Sequence, residues 1–100
     1  MAKVIFTVQY EIKPQRKDEY LSIMRELKSL VNHEGLLNYS VYEVKGKELS
    51  YEEIYTFESE EAYENFDDSQ NERINILMDK LSDIIIKNTS KYSTKTSVIE

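Results

Sequence analysis

The sequence predicts an α+β fold: a four-stranded antiparallel sheet with helices on one face. Three observations predict it. Apolar residues recur at every second position between Val4 and Ile12, which is the period of a strand with one apolar face. From Tyr20 to Val31 the apolar spacing lengthens to that of a helix. Two further stretches rich in β-branched and aromatic residues, joined by a turn at Gly46, then precede a second helical region and a last strand.

The first strand carries Val4, Phe6, Val8, Tyr10 and Ile12 on one face and Ile5, Thr7 and Gln9 on the other. Pro14 closes it, because proline cannot donate to a ladder and restricts the residue before it. A helix follows from Gln15. Its buried stripe is Tyr20, Ile23, Met24, Leu27, Leu30 and Val31, with Arg16, Lys17, Asp18, Arg25, Glu26 and Lys28 off the stripe. Gly35 suits the left-handed residue that ends a helix, so the helix is expected to stop near Asn32 or His33.

Leu36–Val44 reads as the second strand, Lys45–Ser50 as a turn, and Tyr51–Glu58 as a third strand antiparallel to the second. Tyr51, Glu53, Tyr55 and Phe57 share one face of it. Ser59 is placed to cap a short helix that ends near Phe66, with Glu60 and Glu61 in the first turn, where the helix dipole favours anions. Ser69 and Glu72 have capping-box spacing for a longer helix, whose buried stripe is Ile74, Leu77, Met78, Leu81 and Ile85. Lys91–Glu100 closes the chain as a strand with Tyr92, Thr94, Thr96 and Val98 on one face. The order strand, helix, strand, strand, helix pair, strand is that of the split βαβ, ferredoxin-like fold, in one domain spanning residues 1–100.

Composition narrows the function classes. The net charge is −6 and the pI about 4.9. That sign disfavours nucleic acid, whose binding begins with Lys and Arg neutralising phosphates, and an anionic membrane surface. There is no cysteine, so disulfides and thiolate metal sites are excluded. No segment has the apolar run of a signal peptide or a membrane span, and the expected location is cytoplasmic. A sheet covered by helices on one side leaves its other face open, here with Ile5, Thr7 and Gln9. Exposed apolar sheet surface usually marks an interface, so a homodimer packed sheet to sheet is expected.

The segments ending in Ile12-Lys13-Pro14, His33–Val44 (HEGLLNYSVYEV) and Glu53–Phe66 (EIYTFESEEAYENF) together resemble the antibiotic biosynthesis monooxygenase (ABM) domain family of dimeric α/β barrels. Glu34-Gly35, Phe57-Glu58-Ser59 and Ala62-Tyr63 match its pattern in place. The resemblance runs from about Val4 to Ile99. It implies a pocket between helices and sheet lined by Phe6, Val8, Tyr10, Tyr55, Phe66 and Met78, holding a small aromatic ligand of the quinol or phenol type. It also implies oxygenase chemistry without a cofactor. In haem-degrading relatives an asparagine, a tryptophan and an iron-ligating histidine fall where this chain has Val8, Phe66 and Ile76. In quinol-oxidising relatives histidines fall at Phe66 and Asn71. The family's Glu-x-Trp is Tyr55-x-Phe57 here. The residues that relatives use are therefore largely replaced, and no cofactor is expected.

Of the side chains that could do chemistry, His33 is the only histidine; at a helix end it is expected to meet free carbonyls rather than act as a base. Nine carboxylates lie between Glu52 and Glu72, without metal-loop spacing, and read as a solvated face. Glu53 differs, because it shares a strand face with Tyr51, Tyr55 and Phe57. Burial there raises its pKa and makes it a candidate base. Tyr10, with Tyr39 and Tyr55 behind it, is the best-placed phenol. There is no Ser-His-Asp set and no glycine-rich phosphate loop. Glu53 and Tyr10 are the catalytic candidates. Three readings stay open: a cofactor-independent monooxygenase, a non-catalytic ligand-binding homodimer, and a structural homodimer whose pocket is filled by its own side chains.

Overall fold

A computed structural model describes residues 2–100. Strand β1 (Val4–Glu11) leads through a 3-10 turn at Pro14–Arg16 into α1 (Lys17–Leu30). Strands β2 (Leu36–Glu43) and β3 (Ser50–Phe57) form a hairpin, followed by α2 (Glu60–Asn65), α3 (Glu72–Ile84) and β4 (Lys91–Thr96). The sheet order is β2-β3-β1-β4, with every neighbouring pair antiparallel. This is the ferredoxin-like arrangement, with the helices packed on one face.

The alternation in β1 is followed only in part: Phe6 and Val8 are half-buried, and Thr7, expected on the open face with Ile5 and Gln9, is itself buried between its neighbours Ile54 and Ser93. Val4, Tyr10 and Ile12 are buried in a core with Tyr20, Ile23, Met24 and Leu27 of α1 and Ile74, Leu77, Leu81 and Ile84 of α3. Leu27 is fully buried, and truncating such a leucine to alanine costs about 2–5 kcal/mol. The exposed fork of Arg73 to Glu26, at 2.8 Å, ties α3 to α1, but such surface pairs contribute only about 0–1 kcal/mol.

An irregularity in β2 matters for the site. Leu36 pairs with Phe57, Asn38 with Thr56 and Tyr39 with Tyr55, so Leu37 is an extra residue in the ladder. Such a bulge reverses the parity of the strand after it. Leu36 and Tyr39 both face the helices as a result, while Leu37 is exposed.

Several boundaries differ from those expected. Helix α1 ends at Leu30, where Val31 turns extended and its N–H bonds Leu27 O. Gly35 does not end that helix. It has a positive φ of 85° in the turn before β2, and its carbonyl accepts from Glu58 N at 2.8 Å. A Cβ there would lie 2.4 Å from Ala62 Cβ, so the absence of a side chain also lets α2 approach. Ser59 caps α2 as expected, accepting from Ala62 N at 3.1 Å. Ser69 does not cap α3: its N–H donates to Asp67 Oδ1 at 2.9 Å. Asn71 caps instead, accepting from Ile74 N at 3.0 Å, because it stands one residue before the helix and Ser69 three. Ile84 rather than Ile85 completes the α3 stripe, and Ile85 bridges to Ile12. Strand β4 stops at Thr96; Val98 lies beyond it and is exposed. No helix among the described residues is long and apolar enough to cross a membrane.

Candidate functional site

Under α1, a carboxylate is held by tyrosines. Glu53 points from β3 into the helix-covered side of the sheet and is 3% exposed. Tyr10 Oη, from β1, donates to its Oε2 at 2.7 Å. Tyr39 Oη, brought round by the β2 bulge, donates to Oε1 at 2.6 Å. Tyr20 of α1 lies 2.9 Å from Tyr10, hydroxyl to hydroxyl. Since Tyr10 gives its proton to Glu53, Tyr20 is the donor in that pair. Met24 Sδ lies 4.0 Å from Tyr10 Oη and 3.9 Å from Tyr39 Oη. The result is a chain of polar groups from α1 through β1 to β3 and β2, inside an otherwise apolar core.

No cation neutralises this acid: none of the ion pairs among the described residues includes Glu53. Burial pushes its pKa up, the hydrogen bonds from Tyr39 and Tyr10 pull against that, and Asp68 adds to the rise. Tyr10 and Tyr39 are pushed far above the ordinary phenol value, by burial first and then by the neighbouring Glu53 charge. Tyr20 and Tyr55 are raised too, again chiefly by burial. All four phenols therefore stay neutral, Tyr10, Tyr20 and Tyr39 serve as donors, and Glu53 is the group that can change charge.

The other expected pocket residues fall into two groups. Tyr55 is buried, with its ring 4.7 Å from Tyr39 and 5.7 Å from Phe6 and Phe66, centroid to centroid. Phe6, Val8, Phe66 and Met78 are only half-buried. Val8 is the register partner of Glu53 on one side and of Tyr92 on the other, and Phe6 stacks with Tyr92 at 6.2 Å. Much of the space between α2, α3 and the sheet is thus occupied by rings. Met78 and Tyr92 line a small cavity of about 300 Å³ beside it.

His33 Nδ1 meets its neighbour's carbonyl, Glu34 O, at 3.0 Å, and its ring packs edge-on against Phe66. Glu60, Glu61 and Glu64 are exposed. Among the described residues no three His, Cys, Asp or Glu side chains converge as metal ligands. Haem does not fit the residues present: Ile76 is exposed on α3 and neither it nor Val8 carries a ligating atom.

Sequence reasoning named Glu53, Tyr10 and Tyr39 but missed Tyr20 and Met24, which it assigned to the α1 stripe. A signal existed for Tyr20, since a tyrosine at the centre of a buried stripe needs a partner for its hydroxyl. A second missed feature is a cleft of about 720 Å³ between α1 and the β2–β3 hairpin, with Leu21, Met24 and Val41 in its walls.

The family model of antibiotic biosynthesis monooxygenases matches residues 3–71. No curated protein matches the sequence. Among solved structures, a candidate antibiotic biosynthesis monooxygenase from Nitrosomonas europaea superposes with a TM-score of 0.78 at 7% identity, over 96% of this chain and 90% of that one. SnoaB, a cofactor-independent oxygenase from Streptomyces nogalater, gives 0.75 at 14% identity, over 98% and 95%. A conserved protein from Methanosarcina mazei gives 0.74 at 14% identity, over 100% and 95%. At such identities the likeness is one of fold. With the family model covering more than half of the sequence, the chain belongs to the antibiotic biosynthesis monooxygenase family.

Proposed function

We propose that this chain, acting as one domain, binds a small phenol- or quinol-type ligand between helices and sheet and oxygenates it without a cofactor, with Glu53 as proton acceptor. The observation that carries this reading is a buried, tyrosine-held carboxylate with no cation beside it. Such a group is basic for a carboxylate and is tuned by its surroundings, as acid–base catalysts are. The ligand sits over Val8, between Phe6, Tyr55, Phe66 and Met78, one strand away from Glu53. Tyr10 hands the phenol proton on to Glu53. The resulting phenolate gives electrons to dioxygen. One oxygen atom enters the ring and the other leaves as water with two hydrogens of the substrate.

The assembly proposed with it is a homodimer through the open sheet face, where Ile5 is exposed and Ile54 only half-buried in the isolated chain. Sedimentation at twice 11.9 kDa supports this; a single-chain species at micromolar concentration contradicts it.

One observation favours a second reading. Both oxygens of Glu53 already accept from tyrosines, so the network also suits a non-catalytic dimer in which it fixes the packing of α1 on the sheet. Oxygen uptake with 1,4-naphthoquinol and with a flavonol separates the two. Uptake above the uncatalysed rate, lost in Glu53→Gln, supports the oxygenase. Uptake at the background rate for both compounds leaves the non-catalytic reading in its place.

A further inference from the structure

The cleft between α1 and the β2–β3 hairpin carries a charge opposite to that of the protein. The chain as a whole is at −6, yet Lys17, Arg25 and Lys28 all line the cleft, against Glu43 as its single acidic side chain. The spacing explains the clustering: Lys17, Leu21, Arg25 and Lys28 are separated by four, four and three residues, which puts them on one helix face. Lys28 is already engaged, donating to Tyr39 O and to Asn38 Oδ1. Lys17 and Arg25 have no ion-pair partner among the described residues.

Between these charges the walls are apolar, with Leu21, Met24 and Val41. Tyr51 supplies a further polar group. Its hydroxyl is the one buried side-chain polar atom without a hydrogen-bond partner among the described residues, and Tyr51 lines this same cleft. Burial raises the pKa of that hydroxyl most, Lys17 lowers it, and Glu43 raises it both by its charge and as a weak acceptor of the hydroxyl hydrogen. A buried hydroxyl with Glu43 beside it, but with no partner in hydrogen-bond geometry, can turn to a ligand. The volume of about 720 Å³ lies in the range of small-molecule sites, whose walls are mostly apolar with a few placed polar groups.

We propose that this cleft binds a small organic anion with a flat apolar body, of the aromatic carboxylate class. Arg25 takes the carboxylate in a two-pronged pair with Lys17 beside it, since a guanidinium matches that geometry. The ring lies against Leu21, Val41 and Met24, whose thioether suits an aromatic edge. Tyr51 donates the remaining hydrogen bond. Glu43 opposes the ligand and limits its affinity. The site is independent of the oxygenase reading, because neither Glu53 nor Tyr10, Tyr20 or Tyr39 lines the cleft and none is required to bind the anion.

Calorimetric titration with 2-naphthoate tests the proposal, with 2-naphthamide as the neutral isostere. Saturable one-to-one binding is expected for the acid, with the amide weaker by about tenfold or more. The double variant Lys17→Glu/Arg25→Glu, whose changes lie outside the core, should fold normally by circular dichroism and lose binding of the acid. Tyr51→Phe should weaken binding about two- to tenfold without loss of stability. Absence of saturable binding, equal affinity for acid and amide, or unchanged affinity in the double variant would overturn the proposal.

Discussion

Glu53 and Tyr92 stand in one row across the sheet, on either side of Val8. Their burial is the reverse of what their chemistry invites. The acid is 3% exposed and the tyrosine 70%. The cause is how closely the helices approach: Tyr20 and Met24 of α1 close over β3 and β2, while at the β4 end Met78 and Leu81 of α3 leave a cavity beside Tyr92. Along β3 the side chains Tyr51, Glu53, Tyr55 and Phe57 are all buried; along β4 Tyr92, Thr94 and Thr96 are all exposed. Around Glu53 the sheet is therefore sealed, so that the polar groups there satisfy one another, while at the β4 end water or a ligand can do so. Burial of a carboxylate in the sealed region is tolerated because both its oxygens accept hydrogen bonds.

The largest effect should come from breaking the sealed region. Glu53→Ala removes the acceptor of two buried tyrosine hydroxyls and leaves a cavity. Urea unfolding should show a loss of about 3–5 kcal/mol. A loss below about 1 kcal/mol would mean that water reaches the tyrosines and that the region is not sealed.

An intermediate effect should appear with pH. The folded pKa of Glu53 lies above the ordinary value of 4.5, because burial penalises its charge. The native state therefore holds its proton to higher pH than the unfolded chain does. The stability tied to this group is complete below pH 4.5 and is lost as pH rises through the folded pKa. Glu53→Gln can keep one acceptor and one donor for the two tyrosines and has no charge to bury. Its stability relative to wild type should thus improve as pH rises from 4.5 through that pKa, followed by urea midpoints at several pH values. Exposed groups such as Glu19 and Glu26, held low by arginines, titrate identically in both proteins and cancel in the difference. A difference that stays constant with pH would contradict the burial argument.

The smallest effect is expected at the open β4 end. Tyr92→Ala should change stability by less than about 0.5 kcal/mol, despite the size of the side chain and its stacking with Phe6. A loss several times larger would show that this end is covered in solution, as by a second copy.

Much of this contrast was legible in the sequence. The parity of β1 put Tyr10 with the core, and the parity of β3 put Glu53 among tyrosines. Period alone gives the face of a residue, however, and not how much of that face a helix covers. That is why Phe6, Tyr10 and Met78 could be grouped as one pocket although Tyr10 is buried and the other two are half-open. The partnership of Tyr39 with Glu53 depends on the extra residue Leu37 in β2, and Gly35 and Asn38 on either side of it read equally well as the turn before an unbroken strand. Lys17, Arg25 and Lys28 were visible as charges off the α1 stripe. Their convergence on a cleft depends on where the β2–β3 hairpin lies beneath the helix, which is a tertiary fact. Asn71 took the cap expected of Ser69 because the start of α3 was set by its packing and not by the capping-box spacing.

Glu53 is a buried acid held by tyrosines, and its own titration is the test of that arrangement. Carbon-13 NMR of the glutamate side-chain carboxyls, with Glu53→Gln to assign the resonance, would follow it. One carboxyl should titrate above 4.5, apart from the surface glutamates, and should disappear in the variant. A Glu53 resonance that titrates together with the surface glutamates would contradict that arrangement.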